Sequence, residues 1–326
     1  MKKSTVLLFL VMIVSLLANS YDVNYTRVSS DQMKLDITVD SYSLSEVKAD
    51  GQTFTRIDFE GGVRTNELGY AELPRFTKSV QLSNEKNVTL DYDAGKYVEI
   101  KLDHPLLPSR GIMSRSMDIS KIPYEIAKES VTDSWYPGNI VEGTEPFIMR
   151  DVRGTSVITH PFQYNAATQT LRVYKNITVI LTDNDTKPVN PLLKKSSTVV
   201  SEMNGMYKGM FLNYNESKVM DVGELGEILL VYTSSYGGLT ALQPYIQWKE
   251  EMGYKVNTLQ VNYGTDLYVS GDIQDEYDAN PNILYVQLVG DWAALKSQYL
   301  NSVTSTYGSQ DPMLGCVVGT DQYMDI

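Results

Sequence analysis

One cysteine, Cys316, and two histidines, His104 and His160, are the residues in this 326-residue chain suited to thiol–imidazole chemistry. A thiolate nucleophile needs an imidazole beside it, usually with an orienting group behind. Both histidines precede proline, in "KLDHPLLP" and "VITHPFQY", and both lie far upstream of the cysteine. A dyad would have to bridge two domains. The setting "GCVVG" is apolar, and there a lone cysteine behaves as a small hydrophobe. Cys316 is therefore read as structural, and no residue of this chain is assigned a catalytic role. Serine-nucleophile and phosphate-loop chemistry find no motif: there is no G-x-S-x-G, and "TSSYGG" fits neither G-x-G-x-x-G nor the Walker pattern. Zinc would need more His and Cys ligands close together.

Carboxylates are the other candidates. Asp291 ends the apolar run "ILYVQLVGD", and Asp321 and Asp325 stand in "DQYMD", on one face if that segment is extended. Calcium takes roughly six to eight oxygens from such groups, carbonyls and water. Spacing alone favours a solvated acidic loop, with a calcium shell as the alternative. The net charge of -12 argues against nucleic acid as a partner, since phosphate backbones are bound by clustered Lys and Arg.

The elements that would position these residues fall into distinct regions. "MKKSTVLLFLVMIVSLLANS" joins Lys2 and Lys3 to an apolar run and a small-x-small ending, the pattern of a secretory signal peptide over residues 1–20. The run is shorter than the ~20 apolar residues of a spanning helix. The expected mature chain is secreted, extracellular or on the cell surface, without a membrane span. A lone cysteine leaves no internal disulfide.

Residues 21–190 show period two. Met33, Leu35, Ile37 and Val39 share one face, as do Val98, Ile100 and Leu102, and Ile177, Val179 and Leu181. "NAAT" reads as a hairpin loop between "TSVITHPFQY" and "TLRVYKNITVIL". Short alternating strands with Gly, Pro and Asp punctuation predict a β-sandwich. Residues 191–224 lack sustained periodicity and read as an exposed linker, with Lys194 and Lys195 as processing candidates. From 225 the pattern turns α/β. "EILLVYT" predicts a strand buried on both faces, and Leu239, Leu242 and Ile246 a helix that Gly253 caps. "YKVNTLQV" predicts a second strand, "DIQDEYD" a short helix and "NILYVQLVGD" a third strand, the start of a parallel sheet.

"LGYAELPRFTKSVQL", "LLPSRGIMSR", "YPGN" and "RGTSVITHPFQYNAATQTLRVYKNITVIL" resemble the propeptide of the gingipain-type cysteine endopeptidases. "GEILLVYTSSYGGLTALQPYIQWKEEMGYKVNTLQV", "ILYVQLVGDWA" and "QDPMLGCVVGTDQYMDI" resemble the start of their catalytic domain. The resemblance implies an inhibitory β-sandwich propeptide followed by a truncated, caspase-like α/β domain over 225–326. It places the family's Cys-His dyad downstream of "VGTDQYMDI", so this fragment is expected to be inactive. It further implies a calcium site formed by Asp291, the Val318 carbonyl, Asp321, the Tyr323 carbonyl and Asp325, the last standing where the family has glutamate. Arg110 and Arg115 in "PSRGIMSRSM" become candidates for an inhibitory loop. The expected partners are the chain's own catalytic domain or protein substrates. The competing expectation is an exported, non-catalytic β-sandwich that serves as a binding or protease-inhibitor module.

Overall fold

The computed structural model describes residues 20–193, 198–214, 220–222, 225–234, 238–261, 269–290, 295, 298–300, 308–320 and 324–326. The segment read as a signal peptide lies outside the described residues except for Ser20. No described helix is long and apolar enough to cross a membrane.

The first region is built from strands β1 (Tyr21–Arg27), β2 (Gln32–Val39), β3 (Ser43–Ala49), β4 (Gln52–Asp58), β5 (Val63–Arg64), β6 (Pro74–Gln81), β7 (Asn87–Asp93) and β8 (Tyr97–Lys101). It continues with β9 (Val141–Gly143), β10 (Phe147–Met149), β11 (Val152–Thr159), β12 (Phe162–Asn165), β13 (Thr170–Tyr174) and β14 (Asn176–Asn184). One antiparallel sheet runs β1-β2-β14-β7, and a second runs β10-β11-β6-β5 with β9 added to β11. A third runs β12-β13-β8, and β3 pairs with β4.

Alternation turns Met33, Leu35 and Ile37 of β2, and Ile177, Val179 and Leu181 of β14, onto Phe76 and Val80 of β6 and Val157 of β11. The first two sheets therefore face each other across one core, the sandwich that period two predicted. Burial of each such side chain contributes roughly 1.5–3 kcal/mol. A second core gathers Ile57, Leu102, Phe162, Leu171 and Val173. Of the predicted "YVEIKL" face only Ile100 and Leu102 reach it; Val98, on the edge strand β8, stays 49 % exposed. The "NAAT" loop does turn a hairpin, with Asn165 opposite Thr170.

The expected exposed linker is corrected in its described part. β15 (Thr198–Val200) leads into helix α1 (Ser201–Met210), and β16 (Met220–Val222) pairs parallel with β15. Val199, Tyr207 and Phe211 pack on Phe147 and Val152. A Cβ at Gly154 would stand 2.4 Å from Phe211 Cε1, so the glycine is what lets the ring lie against β11. Leu212 N donates to Ser79 O at 3.0 Å. The Asn213 side chain accepts from Gln81 N at 2.6 Å and donates to Gln81 O at 2.8 Å. Residues 198–214 are thus a packed extension of the β region, held by a few large rings rather than by a continuous apolar stripe.

The last region holds β17 (Glu227–Tyr232), α2 (Gly238–Glu251), β18 (Lys255–Gln260), α3 (Val269–Ala279) and β19 (Ile283–Val289). These three strands are parallel in the order β18-β17-β19, as two β-helix-β crossovers require, and β20 (Gln298–Leu300) pairs antiparallel with β21 (Gly308–Gln310) apart from them. Every residue of the central β17 is buried, which explains its apolar run from Ile228 to Tyr232. Gly253, at φ 101°, turns the chain out of α2. Of the predicted helical face Ile246 is buried, whereas Leu239 is 36 % exposed. Leu229, Val231, Ile273, Tyr277 and Leu314 share this region's core.

Candidate functional site

The chemistry of this molecule concentrates where the β region meets the α/β region. Met149 pairs with Val152, so Arg150 and Asp151 form the two-residue tip of the β10–β11 hairpin. Arg150 adopts φ 48°, left-handed for a non-glycine residue, and is 5 % exposed. Its guanidinium donates to the carbonyls of Pro281 and Ile283, between α3 and β19. It also lies 5.5 Å from the Tyr277 ring centroid. Its Nε stands 3.4 Å from Asp151 Oδ2, and the Tyr207 hydroxyl donates to that same oxygen at 3.1 Å. Burial pushes the Tyr277 phenol up to about 12, against the opposing field of Arg150. Burial, reinforced by Asp151, also raises the Tyr207 phenol, so it stays a donor.

Other contacts extend the seam. Asn190, at φ 47°, accepts on Oδ1 from Thr320 N at 2.9 Å and Thr320 Oγ1 at 3.2 Å. A Cβ at Gly319 would stand 2.6 Å from Ile148 Cδ1, so the 319–320 turn sits directly on the hairpin. The Tyr285 hydroxyl donates to Glu202 Oε2 at 3.1 Å, joining β19 to α1. Burial first, then the Glu202 carboxylate, pushes that phenol up to about 12.

Arg153, near the start of β11, fixes the β side of the seam. Its side chain is fully buried, and its guanidinium donates to the carbonyls of Asn190 (2.8 Å), Ser83 (2.5 Å), Lys86 (3.0 Å) and Val189 (2.7 Å). Burial pulls its pKa down from the usual guanidinium value, and Asp183 opposes that pull. Neither Arg150 nor Arg153 was singled out from sequence, because an arginine beside a short turn reads as solvated charge. The only local hint was "MRDVRG", where two arginines interrupt strand-forming residues.

The residues that sequence did single out are dispersed. Cys316 is half-buried and follows the 3-10 turn Asp311–Gly315. The histidines lie near carboxylates: His104 Nε2 is 3.9 Å from Glu46, and the buried His160 has its Nε2 3.9 Å from Glu142. Arg110 serves its own loop, donating to Ile119 O at 2.9 Å and lying 4.4 Å from the Tyr124 ring centroid. Arg115 is exposed on that loop, beside Ile112 at 80 % exposure. Lys194 and Lys195 lie outside the described residues.

Of the implied calcium set, Asp291, Asp321 and Tyr323 lie outside the described residues. Asp325 is buried and spends its carboxylate on amides. Oδ1 accepts from Arg150 N at 2.9 Å, and Oδ2 from Val317 N at 2.9 Å and Val318 N at 2.8 Å. That occupies most of the roughly four lone-pair directions of a carboxylate. Among the described residues no group of three or more His, Cys, Asp or Glu could hold a metal ion.

The Propeptide_C25 family model matches residues 20–220. Gingipain R1 of Porphyromonas gingivalis is 29% identical over 303 residues, 90% of this chain and 29% of the relative. Gingipain R2 of strain ATCC 33277 is 27% identical over 314 residues, 93% of this chain and 41% of the relative. The chain thus spans less than half the length of these curated relatives. A solved complex of the pro- and mature domains of RgpB from Porphyromonas gingivalis matches with a TM-score of 0.53 at 29% identity, over 59% of this chain and 96% of that chain.

Proposed function

The chain belongs to the Propeptide_C25 family as a gingipain-type propeptide, and from that premise we propose that residues 20–214 keep a following cysteine-peptidase domain latent. In this reading 225–326 begin that domain, and the propeptide's partner is the peptidase of its own chain. The observation that carries the reading is the seam itself: the β region docks on the parallel α/β region through buried, directional contacts at Arg150, Asn190 and Asp325. A segment meant only as a tether needs none of them. Export before activation, guided by residues 1–20, suits an enzyme whose activity would be harmful inside the cell. Arg115 is the residue we assign to the cleft, because its loop presents it to solvent while Arg110 is engaged in holding that loop together.

The test uses the full-length product of this reading frame and a peptide substrate with a basic residue before the scissile bond. The intact protein should be silent, and cutting between residues 214 and 225 should release activity. Full activity of the uncut protein overturns the reading. Arg115→Ala should raise residual activity of the uncut protein, whereas Arg110→Ala should act only through the loop. The calcium ion implied by family resemblance is tested separately, by the melting temperature of the full chain in calcium and in chelator.

A further inference from the structure

We propose that Arg150 is the anchor through which the propeptide region holds the α/β region, and that its partner surface is the carbonyl-lined exit of α3. This rests on the latency reading and adds where the grip lies and what sets its lifetime. The argument begins with the backbone. A left-handed residue at a hairpin tip is most easily glycine, or failing that asparagine, because a Cβ is strained there. The tip carries arginine at φ 48° instead. Within the turn this side chain meets Asp151; its other contacts are those that the guanidinium makes beyond the hairpin.

Among the described residues its hydrogen bonds go to the other region, and Asp151 is its ion-pair neighbour. The carbonyls of Pro281 and Ile283 follow the C-terminal end of α3. There the helix dipole is negative and favours a cation. A guanidinium can serve two carbonyls at once with its planar fork and lay its face on the Tyr277 ring. Asp151 neutralises the charge, and Tyr207 of α1 holds Asp151 in place. The chain of contacts therefore runs from α1, through the hairpin tip, to the start of β19.

Asp325 closes the same tip from another side. It accepts the Arg150 backbone N–H on one oxygen and the amides of Val317 and Val318 on the other. At the hairpin tip that N–H lies outside the strand ladder, so backbone and side chain of one residue engage two separate parts of the α/β region. Docking of the hairpin and ordering of the 315–318 segment are coupled through this carboxylate. Pulling the tip away strips the guanidinium, two carbonyls and a carboxylate of partners together, and such buried charged contacts act chiefly on the dissociation rate.

The experiment takes the full-length protein with a protease site placed between residues 214 and 225, cuts it, and follows separation of the two fragments by size. Arg150→Ala should speed separation by on the order of tenfold or more. Arg150→Lys should fall between, since an ammonium keeps the charge without the fork. Asp325→Asn should speed separation less than Arg150→Ala does, and Glu202→Gln, at the exposed Tyr285 contact, by no more than about twofold. Separation of Arg150→Ala at the wild-type rate, with circular dichroism unchanged, overturns the proposal. If Arg150→Ala does not fold, Arg150→Lys decides in the same way. Separation is read by size and latency by activity. An active uncut protein therefore counts against the latency reading, and an unchanged separation rate counts against the anchor.

Discussion

Arg150 and Arg153 stand on one hairpin, and the guanidinium groups of both are buried. Arg153, in the strand, gives all of its described hydrogen bonds to carbonyls of the β region, at Ser83, Lys86, Val189 and Asn190. Arg150, at the tip, gives its side-chain hydrogen bonds to carbonyls of the α/β region, at Pro281 and Ile283. The cost of burying a guanidinium is of the same kind in both places, and in both it is offset by carbonyls. The difference lies in who supplies those carbonyls. A buried cation satisfied from within its own unit is a requirement for folding, and one satisfied from a neighbour is a requirement for association.

The largest effect that could break this contrast is at Arg153. Arg153→Met should strip four carbonyls of their donor and destabilise the β region by roughly 3–5 kcal/mol. Hydrogen exchange resolved by region would show lost protection in β2 and β14 with β17 little changed. Equal loss in both regions would mean that Arg153 serves the seam too. Next is Phe211→Ala, which empties the slot over Gly154 and should cost about 3 kcal/mol by urea unfolding. That loss should track the β region, sharpening the assignment of 198–214 to it.

A smaller effect lies wholly on the α/β side. Glu227 is buried, which by itself raises its pKa, but hydrogen bonds from Asn257, Asn280 and Lys255 outweigh burial and the net shift is downward. Its folded value lies below the unfolded 4.5, so its contribution is complete above about pH 4.5 and fades as pH falls through the lower folded value. Glu227→Ala should cost about 1–3 kcal/mol at neutral pH and flatten the acid limb of the melting curve for this region alone. The smallest effect is at His160, whose pKa burial lowers, aided by Arg75 and opposed by Glu142. The fold favours the neutral ring, so stability should decline as pH drops below about 6.5 and level off beneath the folded value. His160→Gln should remove that slope from melting curves of the β region.

The sandwich was legible because β2 and β14 alternate cleanly and their apolar faces meet. The parallel sheet was legible because β17 is apolar from Ile228 to Tyr232, after Glu227 at its start. Helix α1 was not, since its hold on the fold comes from Tyr207, with Val199 and Phe211 at its flanks, amid exposed polar residues and two glycines. The seam was legible least of all. Arg150 and Asn190 sit in turns where polar residues are common, and their positive φ values carry no sequence signature beyond that. Asp325 is expected from the resemblance to ligate calcium, and its described hydrogen bonds are to amides. Long-range partners decide such roles, and neither spacing nor composition records them.

The two hydrogen bonds of Asn213 carry a further consequence. β6 pairs with β11 on one side, while on the other β5 covers only its first residues. Asn213 meets both backbone groups of Gln81, and Leu212 meets Ser79, so 212–213 stand in for a missing neighbouring strand. An uncovered edge of this kind is a template for another chain. A cut at Lys194–Lys195 would leave that cover on the downstream fragment and bare the edge as the pieces part. A cut after Tyr214 would send the cover away with the propeptide, and the released piece would have a closed edge and little tendency to aggregate.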